Sequence, residues 1–290
     1  MKKIAIVTGA NTGLGLETTK AFVKESMEVV MACRDLSKAE EAKTEILKEY
    51  PNAQLRILQL DLARLDSVRD FAKAFKAQYE QLAILVNNAG LMIPPYGTTE
   101  DGFELQFGIN YLGHFLLTGL LLEQLKKSVN GARIVSLSSL AHQWGDIYFE
   151  DLQFEKKYDK QKAYGQSKLA CLMFAYELDR RLKAHQLSIK SVAAHPGLSR
   201  TNLFRHLTGV MKLLTPFVYP FTQSAKSGAQ PQIKAALDKS LSGGEYLGPS
   251  GFQEYSGKPK VVGSSSISKD KKKAERLWKV SEELCGYNYL

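Results

Sequence analysis

Two side chains four residues apart, Tyr164 and Lys168, could together move a proton. Residues at this spacing in a helix share a face, so the lysine ammonium would lie near the tyrosine phenol. A phenol titrates with a pKa near ~10, and a nearby positive charge favours the phenolate and lowers that pKa. Tyr164 could then donate a proton to a carbonyl oxygen or remove one from an alcohol. Such pairs are common in helices, so the meaning of this one depends on its surroundings.

A glycine-rich segment follows the first apolar run of the chain. It reads Thr8-Gly9-Ala10-Asn11-Thr12-Gly13-Leu14-Gly15, with a predicted strand before it and a predicted helix after it, as a dinucleotide-binding loop requires. Glycines let the backbone approach a pyrophosphate, whose charge is met by the unpaired amides at the helix N-terminus. We therefore predict a phosphate-binding loop. An ordinary tight strand-to-helix turn is the alternative.

Arg34 and Asp35 follow the second predicted strand, at the point where sheets of this kind meet the adenosine ribose of a dinucleotide. A guanidinium there would bind a 2′-phosphate, whereas a carboxylate would accept from a 2′-hydroxyl. Because Arg34 comes first after the strand, we predict NADP(H) rather than NAD(H). The alternative is that Arg34 lies on a surface loop. Asp35 can cap the next helix in either case.

Strand-like apolar runs alternate with stretches of helical periodicity from residue 3 to about residue 195. This order is typical of a parallel sheet with helices on both faces, so we predict a single doubly wound, Rossmann-like α/β domain over residues 1–290. The predicted strands are 3–8, 27–33, 54–60, 82–87, 132–138 and 188–195. The predicted helices are 14–26, 36–50, 64–80, 101–128 and 161–185, and an amphipathic segment over 269–285 is expected to dock on the core. Asn110 falls on the inward face of its predicted helix.

Composition excludes several classes of function. The net charge is +9, from 39 basic and 30 acidic residues, but the one basic run, 269–273, fits a solvated helix start better than a nucleic-acid site. No apolar stretch approaches the roughly 20 residues of a spanning helix. The cysteines, Cys33, Cys171 and Cys285, are far apart, so we predict no metal site and a cytoplasmic location. The excess positive charge would suit an anionic cofactor.

Further motifs end successive strands at the edge where ligands of parallel sheets bind. They are Asn87-Asn88-Ala89-Gly90 after the fourth predicted strand, Ser138-Ser139 after the fifth and Pro196-Gly197 after the sixth. Together with the glycine loop and the Tyr164 and Lys168 pair, they resemble the short-chain dehydrogenase/reductase family over nearly the whole chain. The resemblance implies an oxidoreductase in which a nicotinamide cofactor carries the hydride.

The resemblance also implies roles for individual residues. Tyr164 would be the acid/base, Lys168 would lower its pKa and hold the nicotinamide ribose, Ser139 would bind the substrate oxygen, and Asn110 would order a proton-relay water. Ser139 is chosen over Ser138 because it comes last in its run, as in family members. The implied cofactor-binding residues are Gly9, Asn11, Thr12, Gly13, Leu14, Gly15, Arg34, Asp61, Leu62, Asn88, Ala89, Gly90, Tyr164, Lys168, Pro196, Gly197 and Thr201. Taken alone, Asp61 could be a helix cap and Asn110 a buried amide bonded to backbone.

The 24 residues between Ser139 and Tyr164 are more than the simplest family members have. The insert, which carries Trp144 and Tyr148, resembles the branch that holds retinol dehydrogenases and light-dependent protochlorophyllide reductase, and so do the segments 33–35, 101–104 and 274–278. That branch implies a bulky apolar carbonyl or alcohol substrate. The photoenzyme, with its longer insert and additional cysteines, is the second candidate, and a non-catalytic NADP-binding sensor or scaffold is the third. The animal retinol enzymes carry an N-terminal membrane anchor that this sequence does not show, which leads us to expect a soluble enzyme.

The segment from Leu203 to Phe221 is apolar but interrupted by glycine and proline. Such surface usually marks a binding site or a membrane contact. Because it follows Pro196-Gly197, we predict a mobile lid over 203–221 that closes on the substrate, with a peripheral membrane contact or simple core packing as alternatives. The resemblance further implies a homodimer through the helices at 101–128 and 161–185, unless the lid and the C-terminal helix cover their apolar faces.

Overall fold

The computed structural model describes residues 2–199 and 223–290. The strands and helices within these residues are numbered in chain order. The strands are β1 (Ile4–Thr8), β2 (Glu28–Cys33), β3 (Gln54–Gln59), β4 (Ile84–Asn87), β5 (Ala132–Leu137), β6 (Ile189–Ala194), β7 (Tyr246–Pro249) and β8 (Pro259–Val261). The helices are α1 (Gly13–Lys24), α2 (Leu36–Glu49), α3 (Leu65–Gln78), α4 (Leu105–Phe107), α5 (Gly113–Leu120), α6 (Leu122–Lys126), α7 (Lys160–Ala184), α8 (Ala225–Gly228), α9 (Gln230–Leu237) and α10 (Lys271–Cys285). A π-helical turn, Gly108–Leu112, joins α4 to α5, and 3₁₀ turns occupy Leu140–Gln143, Phe252–Glu254 and Ile267–Lys269.

The strands form one sheet in the order β3-β2-β1-β4-β5-β6-β7-β8. Every neighbouring pair is parallel except β7 and β8. The chain crosses from one side of β1 to the other between β3 and β4, which creates the switch point where ligands of doubly wound sheets bind. The fold therefore confirms the predicted Rossmann-like class, and it brings the carboxyl ends of β1, β4, β5 and β6 to one edge.

Each face of the sheet is covered by its own apolar core, because buried strands of a parallel sheet expose side chains to both sides. Helices α1, α2 and α9 pack on one face, with Phe22 and Ile46 fully buried. Helices α3, α5, α7 and α10 pack on the other face, where Phe115 and Trp278 are buried. The Trp278 ring lies 5.0 Å from that of Phe115, centroid to centroid. Helix α10 thus covers apolar faces of α5 and α7, which is the arrangement expected if these faces do not form a dimer interface. The homodimer stays a prediction.

Strands β1 to β6 and helices α1, α2, α3 and α7 agree with the predicted bounds within about two residues, and α10 docks as expected. The predicted helix over 101–128 is instead divided into α4, the π-helical turn, α5 and α6. Strands β7 and β8 were not predicted, since they are only four and three residues long and depend on pairing with a distant strand. The predicted lid over 203–221 lies outside the described residues. Within those described, no helix combines the length and apolar character needed to cross a bilayer.

Candidate active site

The glycine loop joins β1 to α1 at the switch point of the sheet. Gly9 has φ +65°, a left-handed conformation that favours glycine, and its amide donates to the Ala32 carbonyl at 2.8 Å. A Cβ on Gly15 would lie 2.2 Å from the Gly9 carbonyl oxygen, so only glycine allows the helix to approach the loop this closely. Helix α1 begins at Gly13 with no acidic residue in its first turn. The loop is therefore a cradle whose shape and dipole fit a pyrophosphate.

Thr8, the last residue of β1, joins this loop to the end of β4. Its Oγ1 accepts from the amides of Asn88 and Ala89, both at 2.9 Å, and its carbonyl accepts from Asn88 Nδ2 at 2.7 Å. A Cβ on Gly90 would lie 2.9 Å from Asn110 Oδ1 and 3.6 Å from Lys168 Nζ. The Asn88-Ala89-Gly90 segment therefore connects the cofactor loop to two of the predicted catalytic residues.

His114 extends the same network into α5. Its Nε2 lies 2.9 Å from Thr8 Oγ1 and its Nδ1 lies 2.9 Å from the Asn110 carbonyl. Burial lowers the pKa of His114 to about 4, with a smaller contribution from the charge of Lys168, so the ring is neutral at neutral pH. Because a carbonyl can only accept, Nδ1 carries the proton, and Nε2 accepts from the Thr8 hydroxyl. His114 thus links the phosphate loop to Asn110.

Asn110 lies in the π-helical turn, buried as predicted. Its Oδ1 accepts from the Leu91 amide at 2.9 Å, and its Nδ2 donates to the Leu91 carbonyl at 3.1 Å and to Ser167 Oγ at 2.9 Å. The Asn110 carbonyl also accepts from Cys171 Sγ at 3.2 Å. The side chain therefore holds the turn after β4 in the manner of a buried amide. The role of Asn110 in ordering a relay water stays a prediction.

Tyr164, Lys168 and Ser139 come together at the ends of β5 and α7. The Tyr164 side chain is buried, and its hydroxyl lies close enough to the Ser139 side chain to interact with it. Lys168 Nζ lies 5.9 Å from the centroid of the Tyr164 ring and donates to the Leu137 carbonyl at 3.1 Å. This arrangement can hold a carbonyl or alcohol oxygen between two hydroxyl groups, with a cation one helical turn away.

Burial is the largest influence on the titration of both groups. It raises the pKa of Tyr164, against the hydrogen bond with Ser139, which lowers that pKa. It also lowers the pKa of Lys168. The sequence predicts that Lys168 lowers the tyrosine pKa, but here desolvation of the phenolate is the dominant effect, and the ring is 5.9 Å from the ammonium. The phenol is consequently protonated at neutral pH and suited to donate a proton.

The two serines after β5 have different partners. Ser138 is buried, and its Oγ donates to the Lys168 carbonyl at 2.8 Å, so it fastens β5 to α7. Ser139 Oγ accepts from the Ala141 amide at 3.2 Å, and the Ser139 side chain interacts with the Tyr164 hydroxyl. The geometry therefore favours Ser139 over Ser138 as the residue that contacts a substrate oxygen.

The end of β2 lies beside the glycine loop, since the Cys33 thiol is within hydrogen-bonding reach of the Ala10 and Asn11 backbone. Arg34 follows, with an exposed side chain. Asp35 caps α2, because its Oδ1 accepts from the Lys38 amide at 3.1 Å. Asp35 thus caps α2 as expected, whereas the binding of a 2′-phosphate by the exposed Arg34 stays a prediction.

Two further predicted residues end the third strand. Asp61 does not cap α3, whose N-cap is Arg64; its Oδ1 instead accepts from the Ala63 amide at 3.0 Å. Leu62 is buried against Gly113, where a Cβ would lie 3.0 Å from the Leu62 side chain. Leu62 therefore supports the edge of the sheet by packing.

Pro196 and Gly197 follow β6. The Pro196 carbonyl accepts from Gln223 Nε2 at 2.7 Å, and Gly197 has φ +62°. A Cβ on Gly197 would lie 2.4 Å from the Tyr255 carbonyl, so the turn after β7 packs directly on this loop. Thr201, the last predicted cofactor residue, lies outside the described residues.

Sequence patterns did not indicate Thr8, His114 or Gln232 as site residues. Gln232 Nε2 lies 3.3 Å from the Leu14 carbonyl and 3.2 Å from Asn88 Oδ1, so α9 supports the loop from a distance of more than 140 residues in sequence. A signal for His114 was present, since it lies four residues after Asn110 on the same inward face. Nothing local indicates Gln232, whose role depends on tertiary packing.

The sequence that forms this site matches a known family. The sequence pattern of the family described as short chain dehydrogenase matches residues 3–209. The chain belongs to the short-chain dehydrogenase family. It is an oxidoreductase of that family, whose cofactor is a nicotinamide nucleotide.

Full-length relatives agree with the resemblance seen in the sequence. Retinol dehydrogenase 12 of Homo sapiens is 44% identical over 287 residues, which cover 99% of this chain and 87% of that protein. Retinol dehydrogenase 13 of Mus musculus is 44% identical over 293 residues, covering 98% and 84%. The crystal structure of an uncharacterised protein from Mycobacterium Paratuberculosis superposes with a TM-score of 0.83 at 38% identity and covers 99% of this chain and 95% of that one. The chain is thus similar to retinol dehydrogenases over nearly its whole length.

Proposed function

We propose that this short-chain dehydrogenase is an NADP(H)-dependent enzyme that interconverts a bulky apolar carbonyl compound and its alcohol. The observation that carries the proposal is the approach of the Ser139 side chain to the Tyr164 hydroxyl at the end of β5, with Lys168 one helical turn away. Two hydroxyl groups at one point can bind an oxygen and exchange a proton with it. When bound, the nicotinamide supplies or accepts the hydride.

In reduction, the substrate oxygen accepts hydrogen bonds from Ser139 and Tyr164. Tyr164 then gives its proton to that oxygen, and the nearby ammonium of Lys168 stabilises the phenolate that forms. The raised pKa of Tyr164 keeps the donor protonated before reaction. In oxidation the same phenolate removes the alcohol proton. We assign Asn110 to the replacement of that proton through ordered water.

The preference for NADP(H) rests on Arg34. Its exposed guanidinium follows β2 next to the glycine loop, and its fork matches a phosphate. The neighbouring carboxylate, Asp35, is occupied in capping α2 and bonds to Lys38, which reduces its repulsion of an anion. The pyrophosphate would lie on Gly9 and the N-terminus of α1, and the adenosine ribose beside the 88–90 segment.

The apolar substrate is supported by two observations. Relatives with 44% identity bear the name retinol dehydrogenase, and retinol is a bulky apolar alcohol. Three apolar side chains, Ile93, Ala141 and Met92, form a cluster with Tyr164. The proposed lid over 203–221 would add further apolar surface, and a cytoplasmic location remains our expectation.

The test is a spectrophotometric assay of NADPH oxidation with a panel of apolar aldehydes and ketones. We expect measurable turnover with at least one large apolar aldehyde, and loss of that turnover in Tyr164→Phe. Ser138→Ala is the matched control for Ser139→Ala, since only the second should lower turnover sharply. Binding of NADPH without turnover of any carbonyl or alcohol would favour a non-catalytic role and contradict the proposal.

A further inference from the structure

A small apolar cluster surrounds the Tyr164 ring, separate from the two cores that cover the sheet. Its buried members are Ile93, Ala141 and Tyr164, and Met92 packs against it partly exposed. The only polar side-chain atom among these four residues that can donate or accept a normal hydrogen bond is the Tyr164 hydroxyl. A surface of this composition favours contact with an apolar molecule.

Trp144 stands at the open side of this cluster. Its ring centroid lies 6.2 Å from that of Tyr164, and 52% of the residue is exposed. The half-exposed indole extends the apolar surface of the cluster from Tyr164 toward solvent. Continuous apolar surfaces of this kind mark ligand sites. The other tryptophan, Trp278, is only 1% exposed and belongs to the core.

The backbone is shaped to bring Trp144 here. Gly165, inside α7, would place a Cβ 3.1 Å from the Trp144 Cβ and 3.1 Å from the Ala141 carbonyl. A glycine within a helix costs about 1 kcal/mol relative to alanine. The absence of a side chain at Gly165 lets the 140–145 segment approach Tyr164 closely. This close approach explains why a glycine is present in the helix despite its cost in stability.

Ile93, another member of the cluster, is held in a strained backbone conformation. Its φ is +55°, which is rare for a β-branched residue, and its amide donates to Gln106 Oε1 at 2.8 Å. Gln106 is itself fully buried and donates to the Tyr158 hydroxyl at 3.2 Å and to the Lys160 carbonyl at 3.1 Å. Strain that several buried contacts maintain is typical of ligand-binding segments.

We propose that Trp144 is a specificity-determining residue, and that with Met92 and Ile93 it forms an apolar wall which selects extended or aromatic carbonyl compounds over short ones. The inference rests on the proposed carbonyl chemistry at Tyr164 and names the surface that chooses the substrate. The indole binds the part of the substrate remote from the reacting carbonyl. Removing the indole lowers kcat/KM for large substrates. The kcat/KM for small substrates, which do not reach the indole, stays unchanged.

The experiment compares kcat/KM for propanal and 2-naphthaldehyde with saturating NADPH. We expect Trp144→Ala to lower kcat/KM for 2-naphthaldehyde about 10-fold or more and to change that for propanal less than about twofold, while Trp144→Phe retains most of the activity on both. Val129→Ala is the control, because Val129 is also exposed but precedes β5 at the opposite edge of the sheet. An equal loss with both aldehydes, or no loss with either, overturns the proposal.

A binding measurement separates this inference from the proposed function. Addition of 2-naphthaldehyde to the wild-type enzyme with NADP⁺, which cannot reduce it, should quench tryptophan emission. In Trp144→Phe the remaining fluorophore is the buried Trp278, and the quenching should be lost. Failure of every carbonyl to react would contradict the proposed function, yet quenching dependent on Trp144 would still support the wall. Quenching that persists in Trp144→Phe contradicts the wall even in an active enzyme.

Discussion

The proposed cofactor end and the proposed substrate end of the site are built in different ways. At the cofactor end, Gly9, Thr8 and the 88–90 segment lie at the ends of adjacent strands, where backbone amides and carbonyls bond to each other, to the Thr8 hydroxyl and to the Asn88 side-chain amide. At the substrate end, Ile93 and Trp144 come from loops and are positioned by side chains such as Gln106. The first is determined by the sheet itself. The second depends on which side chains the loops carry.

The difference explains how one family can keep its cofactor and change its substrate. A site made from strand ends and backbone bonds tolerates little change, because each group is already required by the sheet. A site made from loop side chains can change without disturbing the sheet. Substitutions at the two ends should therefore affect different measurements: cofactor affinity at one end and turnover or selectivity at the other.

The largest expected effect tests whether turnover and cofactor affinity separate in this way. Tyr164→Phe should lower kcat about 10²–10⁴-fold, the range typical of a lost general acid, while the Kd for NADPH changes less than about twofold. Lys168→Ala should lower kcat and also raise the Kd for NADPH, because the Lys168 ammonium lies near both the Tyr164 phenol and Gly90. Stopped-flow turnover and fluorescence titration measure the two. A large loss of NADPH affinity in Tyr164→Phe would contradict the separation.

The second prediction concerns His114, which bonds to both Thr8 and Asn110. Its pKa is lowered to about 4 in the folded chain from 6.5, so the unfolded chain binds more protons between these values. Stability is fully present above pH 6.5 and is lost as pH falls toward 4, by about 2 kcal/mol between pH 7.5 and pH 5. Urea unfolding at the two pH values measures this loss.

His114→Gln should be less stable at pH 7.5 and should lose less of its stability on acidification. His185→Gln is the matched control, since His185 is exposed on the surface after α7. An unchanged pH dependence in His114→Gln would contradict the lowered pKa of His114 and the burial of its neutral ring between Thr8 and Asn110.

The third prediction tests the rigidity of the cofactor end. Gly15→Ala forces a Cβ to within 2.2 Å of the Gly9 carbonyl, so the loop or α1 must shift. Overpacking of about 1–3 kcal/mol should raise the Kd for NADPH about tenfold or more. Gly263→Ala is the control, because a Cβ there meets nothing within 4 Å. Isothermal titration with NADPH would detect the difference, and equal affinities in both variants would argue against a close-packed cradle.

The smallest expected effect concerns Arg34, the one exposed side chain on which the cofactor preference depends. Arg34→Ala should raise the Kd for NADPH about tenfold, with little change for NADH, because one partly screened contact to a phosphate is lost. Lys48→Ala, in the last turn of α2, removes an equal charge away from the site. The preference is measured by titrating both reduced cofactors at two salt concentrations. A wild-type enzyme that binds the two equally would contradict the assignment.

Local sequence patterns are sufficient for much of the molecule. Apolar runs and helical periodicity predict β1 to β6 and most helices, because a parallel sheet buries both faces of its strands and each helix buries one stripe. The same alternation predicts a glycine loop at Gly9 after β1, whereas the roles of Ser139 and Tyr164 were implied by the resemblance to the family. These features depend on residues close together in the chain.

The remaining features depend on residues that meet only after folding. Strand β7 forms because β6 is there to pair with it, and Gln232 reaches Asn88 across the sheet from α9. The strained backbone of Ile93, the exposure of Trp144 and the raised pKa of Tyr164 all depend on how the folded chain arranges the residues around the Tyr164 ring. Desolvation and steric exclusion depend on the residues that surround a group in the folded chain, so only the tertiary structure decided them. Helical periodicity and the positions of the strand ends were already present in the order of the amino acids.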